Sequence, residues 1–179
     1  MNKQDLALST IFAIALCGLT IGIGTPAGLR VALAEEPSAD MAAQKRTVLD
    51  IRNVGTAMFS WLTDQIGAAA AGQSQMPEPS RVELSDYSEI SHADLTTILT
   101  PMYLETIPET DGWGSPYEFG LNVENPLAQQ VMSMRSPGRD GFFDGDSYEV
   151  DSFDPASFDE DIVWADGFFV RWPLKPNGR

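Results

Sequence analysis

Sulfur chemistry is almost absent from this 179-residue chain: its single cysteine, Cys17, sits inside an N-terminal apolar segment. No disulfide can form within the chain, and paired-thiol redox chemistry is excluded. Histidine is as scarce. His92 is the only one, and no nearby motif offers the partners that acid–base work requires. Neither Gly-x-Ser-x-Gly nor His-Glu-x-x-His occurs, so two widespread hydrolytic layouts are missing. Basic residues number 11 against 26 acids, and the net charge is −15. So acidic a chain has no electrostatic pull toward nucleic acid or an anionic lipid surface. Cations and basic protein faces are the partners its charge favours.

The shortage of basic residues is sharpest between Asp140 and Asp166. Ten Asp or Glu occur there without one Lys or Arg. Carboxylates at this density repel one another unless something positive sits among them, and hard divalent cations are what oxygen clusters bind. A solvated or disordered acidic loop is the alternative. Composition argues against it. Phe142, Phe143, Tyr148, Phe153, Phe158 and Trp164 are interleaved with the acids, whereas disordered segments are poor in aromatics. The stretch reads as an ordered, metal-stabilised loop without regular secondary structure of its own.

Length sets a prior of one domain, and 43% hydrophobic residues suffice for a modest core. Residues 1–34 stand apart. Leu6 to Gly24 is apolar, Lys3 precedes it, and Ala32-Leu33-Ala34 before Glu35 fits a small-residue cleavage site. The segment reads as a secretory signal peptide, or, being just long enough to cross a bilayer, as an uncleaved anchor. Either way residues 35–179 are expected outside the cytoplasm: in the periplasm, on the outer face of the cytoplasmic membrane, or extracellular. Any membrane contact would come only through that segment.

A polar linker with Pro37 comes next, and Ser38 or Asp40 is placed to cap a helix running to about Ala71. Val48, Ile51, Gly55, Met58 and Leu62 recur at spacings of three and four, one face of a helix. Phe59 and Trp61 lie off that stripe and either widen it or mark a contact surface. Beyond the helix are a loop (Gly72–Pro79) and a polar segment to Glu89. Ser91 and Asp94 form a near relative of the capping box for a short helix with Leu95, Ile98 and Leu99, ended by Pro101. His92, in its first turn, is expected to be exposed. Tyr117–Asn122 and Gln130–Ser136 read as strands. Ile162–Ala165 and Phe168–Trp172 flank Asp166-Gly167, a strong hairpin signal because both turn positions tolerate positive φ. The fold expected is α+β: a long N-terminal helix packed on a small antiparallel sheet, with the acidic loop near the C-terminus.

Between the short helix and the first strand lies Ile107-Pro108-Glu109-Thr110-Asp111-Gly112-Trp113-Gly114-Ser115-Pro116-Tyr117. Its Gly and Pro spacing makes a tight turn leading into a strand, with Trp113 expected over one end of the core. This segment resembles the "Leu-Pro-x-Asp-Pro-Trp-Gly-x-Pro-Tyr" stretch of the major pseudopilins of type II secretion systems. Gly112 stands where that family has proline, and one extra residue precedes Asp111. Ser136-Pro137-Gly138-Arg139-Asp140-Gly141 is similar to the family's "Ser-x-Gly-x-Asp-Gly". Asp159-Glu160-Asp161-Ile162 resembles the acidic piece that closes its calcium loop, and Asp50 to Ala57 resembles the soluble part of its helix. The four matches fall in the family's order across about residues 40–170. The N-terminus departs from the pattern: the Phe-Thr-Leu-Ile-Glu opening is missing, and the apolar run carries no acid.

The resemblance implies a pseudopilin-like domain and Ca²⁺ held by acids near the C-terminal end of the loop, which transfers to Asp159 and Asp161. Asp140 comes from the Asp-Gly match, and Asp144 and Asp146 are added on local acid density. No EF-hand spacing is present. Together these imply a non-enzymatic, exported, calcium-stabilised domain, structural or accessory to a secretion pseudopilus, whose partners are other proteins such as secretion components. The alternative is a secreted or periplasmic binding module whose acidic loop contacts a basic protein partner. A paired-carboxylate hydrolase is disfavoured by the missing motifs.

Overall fold

Residue 38 opens the first described element, and Ser38 is the cap that the sequence offers there. A computed structural model describes residues 38–67 and 80–174. The segment read as signal peptide or anchor, the Gly72–Pro79 loop and the last five residues lie outside the described residues. Ser38 Oγ accepts the Met41 N–H, satisfying one of the free donors of helix α1 (Ala39–Ile66). The helix stops at Gly67, whose φ of 79° ends it five residues before the expected terminus. Ile51, Gly55, Met58 and Leu62 of the predicted stripe are buried, and Val54, Ala57 and Trp61 widen it. Trp61 is thus core and Phe59 is exposed, which resolves the two side chains that spacing left open.

The polar segment after residue 80 contains short elements that its sequence pattern does not reveal: β1 (Arg81–Glu83), a single 3₁₀ turn (Leu84–Asp86) and β2 (Glu89–Ile90). Helix α2 (His92–Leu99) begins as expected, with Ser91 Oγ accepting the Asp94 N–H. His92 is half-buried rather than exposed, and its Nε2 lies 3.0 Å from the Ile107 carbonyl. Then come β3 (Glu118–Leu121), β4 (Met132–Ser136), β5 (Ser147–Glu149), β6 (Asp151–Phe153), β7 (Ile162–Ala165) and β8 (Phe168–Pro173). Asp166 and Gly167 both have positive φ, 44° and 104°, and close the β7–β8 hairpin.

The architecture is α+β, but the sheet is larger than expected and mixed. Six strands run in the order β2-β3-β4-β7-β8-β6, and β1 pairs with β5 in a separate two-stranded sheet. All the neighbouring pairs are antiparallel except β6–β8, which is parallel. The acidic stretch, expected to lack regular structure, therefore supplies two strands. Three-residue strands leave too little periodicity to be seen in sequence.

This topology gives the core two layers. Helix α1 lies across β4 and β7, where Ile51, Met58 and Leu62 meet Met134, Ile162 and Trp164. On the opposite face Val163, Ala165 and Val170 pack with Val82 of β1 and Tyr148 of β5. Strand β7 is buried at all four positions because each of its faces is covered. The acidic stretch is thus anchored through Tyr148 to the back of the main sheet.

Two close approaches depend on glycine. A Cβ at Gly55 would stand 2.7 Å from the Trp164 ring, and one at Gly112 would stand 2.2 Å from the Ala43 carbonyl oxygen. At Gly112 the 108–117 turn sits directly on the α1 backbone. Gly112→Ala is expected to lower stability by about 2–3 kcal/mol, the upper range for overpacking. Urea unfolding would measure it, and a change within about 0.5 kcal/mol would contradict this contact.

Candidate functional site

The site is built outward from Asp111, a carboxylate that is 1% exposed. Its Oδ1 accepts the backbone N–H groups of Trp113 and Ser115, folding the Gly-Trp-Gly turn around one oxygen. Its Oδ2 accepts the hydroxyl of Ser136, at the end of β4. Ser136 Oγ in turn accepts the Gly138 N–H. On the helix side Gly112 N donates to Thr47 Oγ1, and the Trp113 indole N–H donates to Asp40 Oδ1. Trp113 therefore leans on the first turn of α1 instead of capping the core. These bonds fix the point where β4 hands over to the acidic stretch.

Gly138 (φ 71°) lets the chain turn against residues 158–160: a Cβ there would meet the Phe158 and Glu160 carbonyl oxygens at 2.8 and 2.7 Å. Arg139 N donates to Phe158 O. The Arg139 guanidinium grips Asp159 with both forks, Nε to Oδ1 at 2.8 Å and Nη2 to Oδ2 at 2.9 Å. This bidentate bond holds Asp159 below the usual carboxylate pKa range. The third arginine nitrogen, Nη1, reaches Asp40 Oδ2 at 3.3 Å. Between these segments lies a cleft of about 360 Å³ lined by Arg139, Asp140, Asp144, Ser157, Asp159 and Glu160 among others.

Asp161 is tied to this cleft through Asp144. It is 1% exposed, and its Oδ2 accepts the Asp144 N–H at 2.9 Å and lies 2.6 Å from the Tyr148 hydroxyl. Its Oδ1 is buried and has no hydrogen-bond partner, an expensive condition for a carboxylate oxygen. Burial pushes the Asp161 pKa up to about 6; the Tyr148 and Asp144 donors pull it down, and the Asp144 carboxylate raises it.

The five predicted ligands thus divide. Asp140, Asp144 and Asp159 line one cleft and Asp161 adjoins it through Asp144. Asp140 Oδ1 accepts the Phe142 N–H across a tight turn. Asp146 turns away and pairs with Arg135 at 3.1 Å. Among the described residues no three His, Cys, Asp or Glu side chains already form a metal-holding group.

Sequence reasoning gave no role to the arginines. Arg135 binds Glu118 and the Gly145 carbonyl, each at 2.6 Å, and its guanidinium lies 4.0 Å from the centre of the Phe143 ring. Arg171 pairs with Glu160. The only available signal was position: each arginine borders the acidic stretch or lies in the neighbouring hairpin.

Asp161 is expected to make folding pH-dependent. Its folded-state pKa lies above the ordinary value, so its ionised form opposes folding. That penalty is absent below about pH 4 and complete above about pH 7. With chelator present, wild type is expected to lose about 2 kcal/mol relative to Asp161→Asn between those limits, after allowance for solvent screening. Unfolding curves of the two proteins at both pH values measure this, and equal pH dependence would contradict it.

Comparison of the chain with protein-family models, curated proteins and solved structures found no match, so the site is read from its own residues.

Proposed function

We propose that residues 35–179 form a non-enzymatic, exported, pseudopilin-like domain stabilised by Ca²⁺, with a structural or accessory role in a type II secretion pseudopilus. The observation that carries the calcium reading is Asp161 Oδ1, a buried and unpartnered carboxylate oxygen on a residue whose other oxygen holds Asp144, a wall of the acid-lined cleft. The donor set suits a hard cation: carboxylates and Ser157 line the cleft, with no nitrogen or sulfur ligand needed. Asp161, Asp144, Asp140 and Asp159 would hold the ion, which supplies the positive charge that their clustering lacks. Mg²⁺ fits less well because it demands strict octahedral geometry and gives up water reluctantly.

The pseudopilin-like reading draws support from contact between the matched motifs. Asp111 of the Trp-Gly turn bonds Ser136 of the Ser-x-Gly-x-Asp-Gly segment, whose Arg139 bonds Asp159 of the acidic closing piece. Three segments linked only by resemblance are thus joined in one network on a helix-plus-sheet frame. Ca²⁺ that binds only the folded loop stabilises it by an amount set by concentration over affinity. Extracytoplasmic calcium would fill even a weak site.

One observation favours the alternative, a binding module for a basic partner. Phe142 is 76% exposed at the rim of the acidic stretch, between Asp140 and Asp144. Co-purification with secretion components supports the first reading; capture of an unrelated basic protein supports the second.

The calcium reading predicts a thermal melt of the full chain that rises by several degrees in millimolar Ca²⁺ over chelator, as expected for about 1–3 kcal/mol of linkage. Mg²⁺ should give a smaller shift, and Asp144→Ala with Asp161→Asn should abolish the calcium response. A folded protein whose melt is the same in chelator and Ca²⁺ would refute the site.

A further inference from the structure

We propose that Arg139 is a built-in counter-ion that competes with the divalent cation for Asp159 and, through Asp40, links the cation's arrival to the first turn of α1. This inference rests on the calcium reading of the same cleft. Two observations carry it. Arg139 is itself a wall of the cleft, so its guanidinium stands beside the position an ion would enter. It also engages both Asp159 oxygens at 2.8 and 2.9 Å, so a cation that binds the carboxylate on that side has to displace the guanidinium.

Charge sets the competition. A divalent cation and a guanidinium repel, and each neutralises the same carboxylate. In a calcium-poor compartment Arg139 holds Asp159 in place, so the 138–140 turn and the 158–160 segment stay joined without an ion. When the cation takes Asp159, Arg139 is released, but it retains a second acid. Asp40 Oδ2 lies 3.3 Å from Nη1, and Asp40 Oδ1 is fixed by the Trp113 indole. Asp40 belongs to the first turn of α1. The displaced arginine is thereby handed toward the N-terminal end of the helix, where its charge strengthens the tie between that end and the 108–117 turn. Arg139 and Asp159 are both substantially exposed, so exchange between the two partners needs no opening of the core. Arg135 and Arg171 are engaged differently, with Glu118, Asp146 and Glu160, and neither touches Asp159.

The test is calcium chloride titrated into the full chain by calorimetry at fixed ionic strength. Arg139→Gln should bind at least about fivefold more tightly than wild type; removing one unit charge about 4 Å from a divalent ion in water is worth roughly thirtyfold before salt screening reduces it. Arg139→Lys keeps the charge but loses the fork and should fall between the two. In chelator, Arg139→Gln should melt below wild type, and the difference should close as Ca²⁺ is added. Should Arg139→Gln fold poorly in chelator, recovery of its circular dichroism on calcium addition is the same prediction in another readout, and no recovery would overturn the inference. Equal affinities for all three proteins would overturn it while leaving the calcium reading standing. Binding by Arg139→Gln alone would support the competition and overturn calcium stabilisation of the native chain. No binding by any of them would overturn both.

Discussion

Ten carboxylates between Asp140 and Asp166 repel one another with no lysine or arginine in their own sequence, and the fold answers by bringing positive charge from outside. Arg135 enters from β4, Arg139 from the turn after it, and Arg171 from β8. Each binds an acid inside the stretch: Asp146, Asp159 and Glu160 respectively. The mixed sheet makes this possible, because β4, β7 and β8 are neighbours and the acidic excursion leaves and returns at adjacent strands. Compensation is incomplete. Asp140 and Asp144 have no ion pair among the described residues, and Asp161 keeps an unpartnered buried oxygen. That residue of uncompensated charge is the physical basis for placing a cation in the cleft.

Two further carboxylates have structural roles that their charge alone would not suggest. Asp111 gathers the Trp-Gly turn, the end of β4 and, through its neighbours, the first turns of α1. Asp166 closes the β7–β8 hairpin while its Oδ1 accepts the N–H groups of Val131 and Met132 and its Oδ2 accepts the Tyr87 hydroxyl. Burial raises the pKa of Asp166, and Tyr87 is raised with it. In both cases a side chain replaces backbone pairing where the chain has to leave a strand. Buried Asp111 and half-buried Asp166 thus organise turns, whereas Asp140, Asp144, Asp159 and Glu160 line the cleft.

Local chemistry explains which parts of the fold were legible in the sequence. The Ser91–Asp94 cap, the apolar stripe of α1 and the Asp166-Gly167 turn each encode their geometry within a few residues, and each is seen where expected. The parallel β6–β8 pair was not legible, because parallel pairing joins strands without a turn signal and β6 has only three residues. The covering of the sheet's second face by Val82 and Tyr148 is hidden because β1 and β5 have three residues each and lie far apart in sequence. At the site, the density of acids pointed to the stretch where Asp140, Asp144 and Asp159 line one cleft and Asp161 adjoins it through the Asp144 N–H. Density could not separate Asp146, which faces Arg135, nor show that Asp161 is buried while Asp159 is exposed. Those distinctions arise from tertiary contacts with Tyr148 and Arg139, distant from them in sequence.

Amide hydrogen exchange across residues 138–161 tests most directly whether an ion completes this charge balance. The Asp144 N–H, bonded to Asp161, and the Arg139 N–H, bonded to the Phe158 carbonyl, report on the two sides of the cleft. With millimolar Ca²⁺ in place of chelator, exchange at both should slow by at least about tenfold, which corresponds to about 1.4 kcal/mol of added local stability. The α2 amides should change less. Exchange that is identical in chelator and Ca²⁺ at these positions would contradict the account and leave the arginines as the only positive charge the acidic stretch requires.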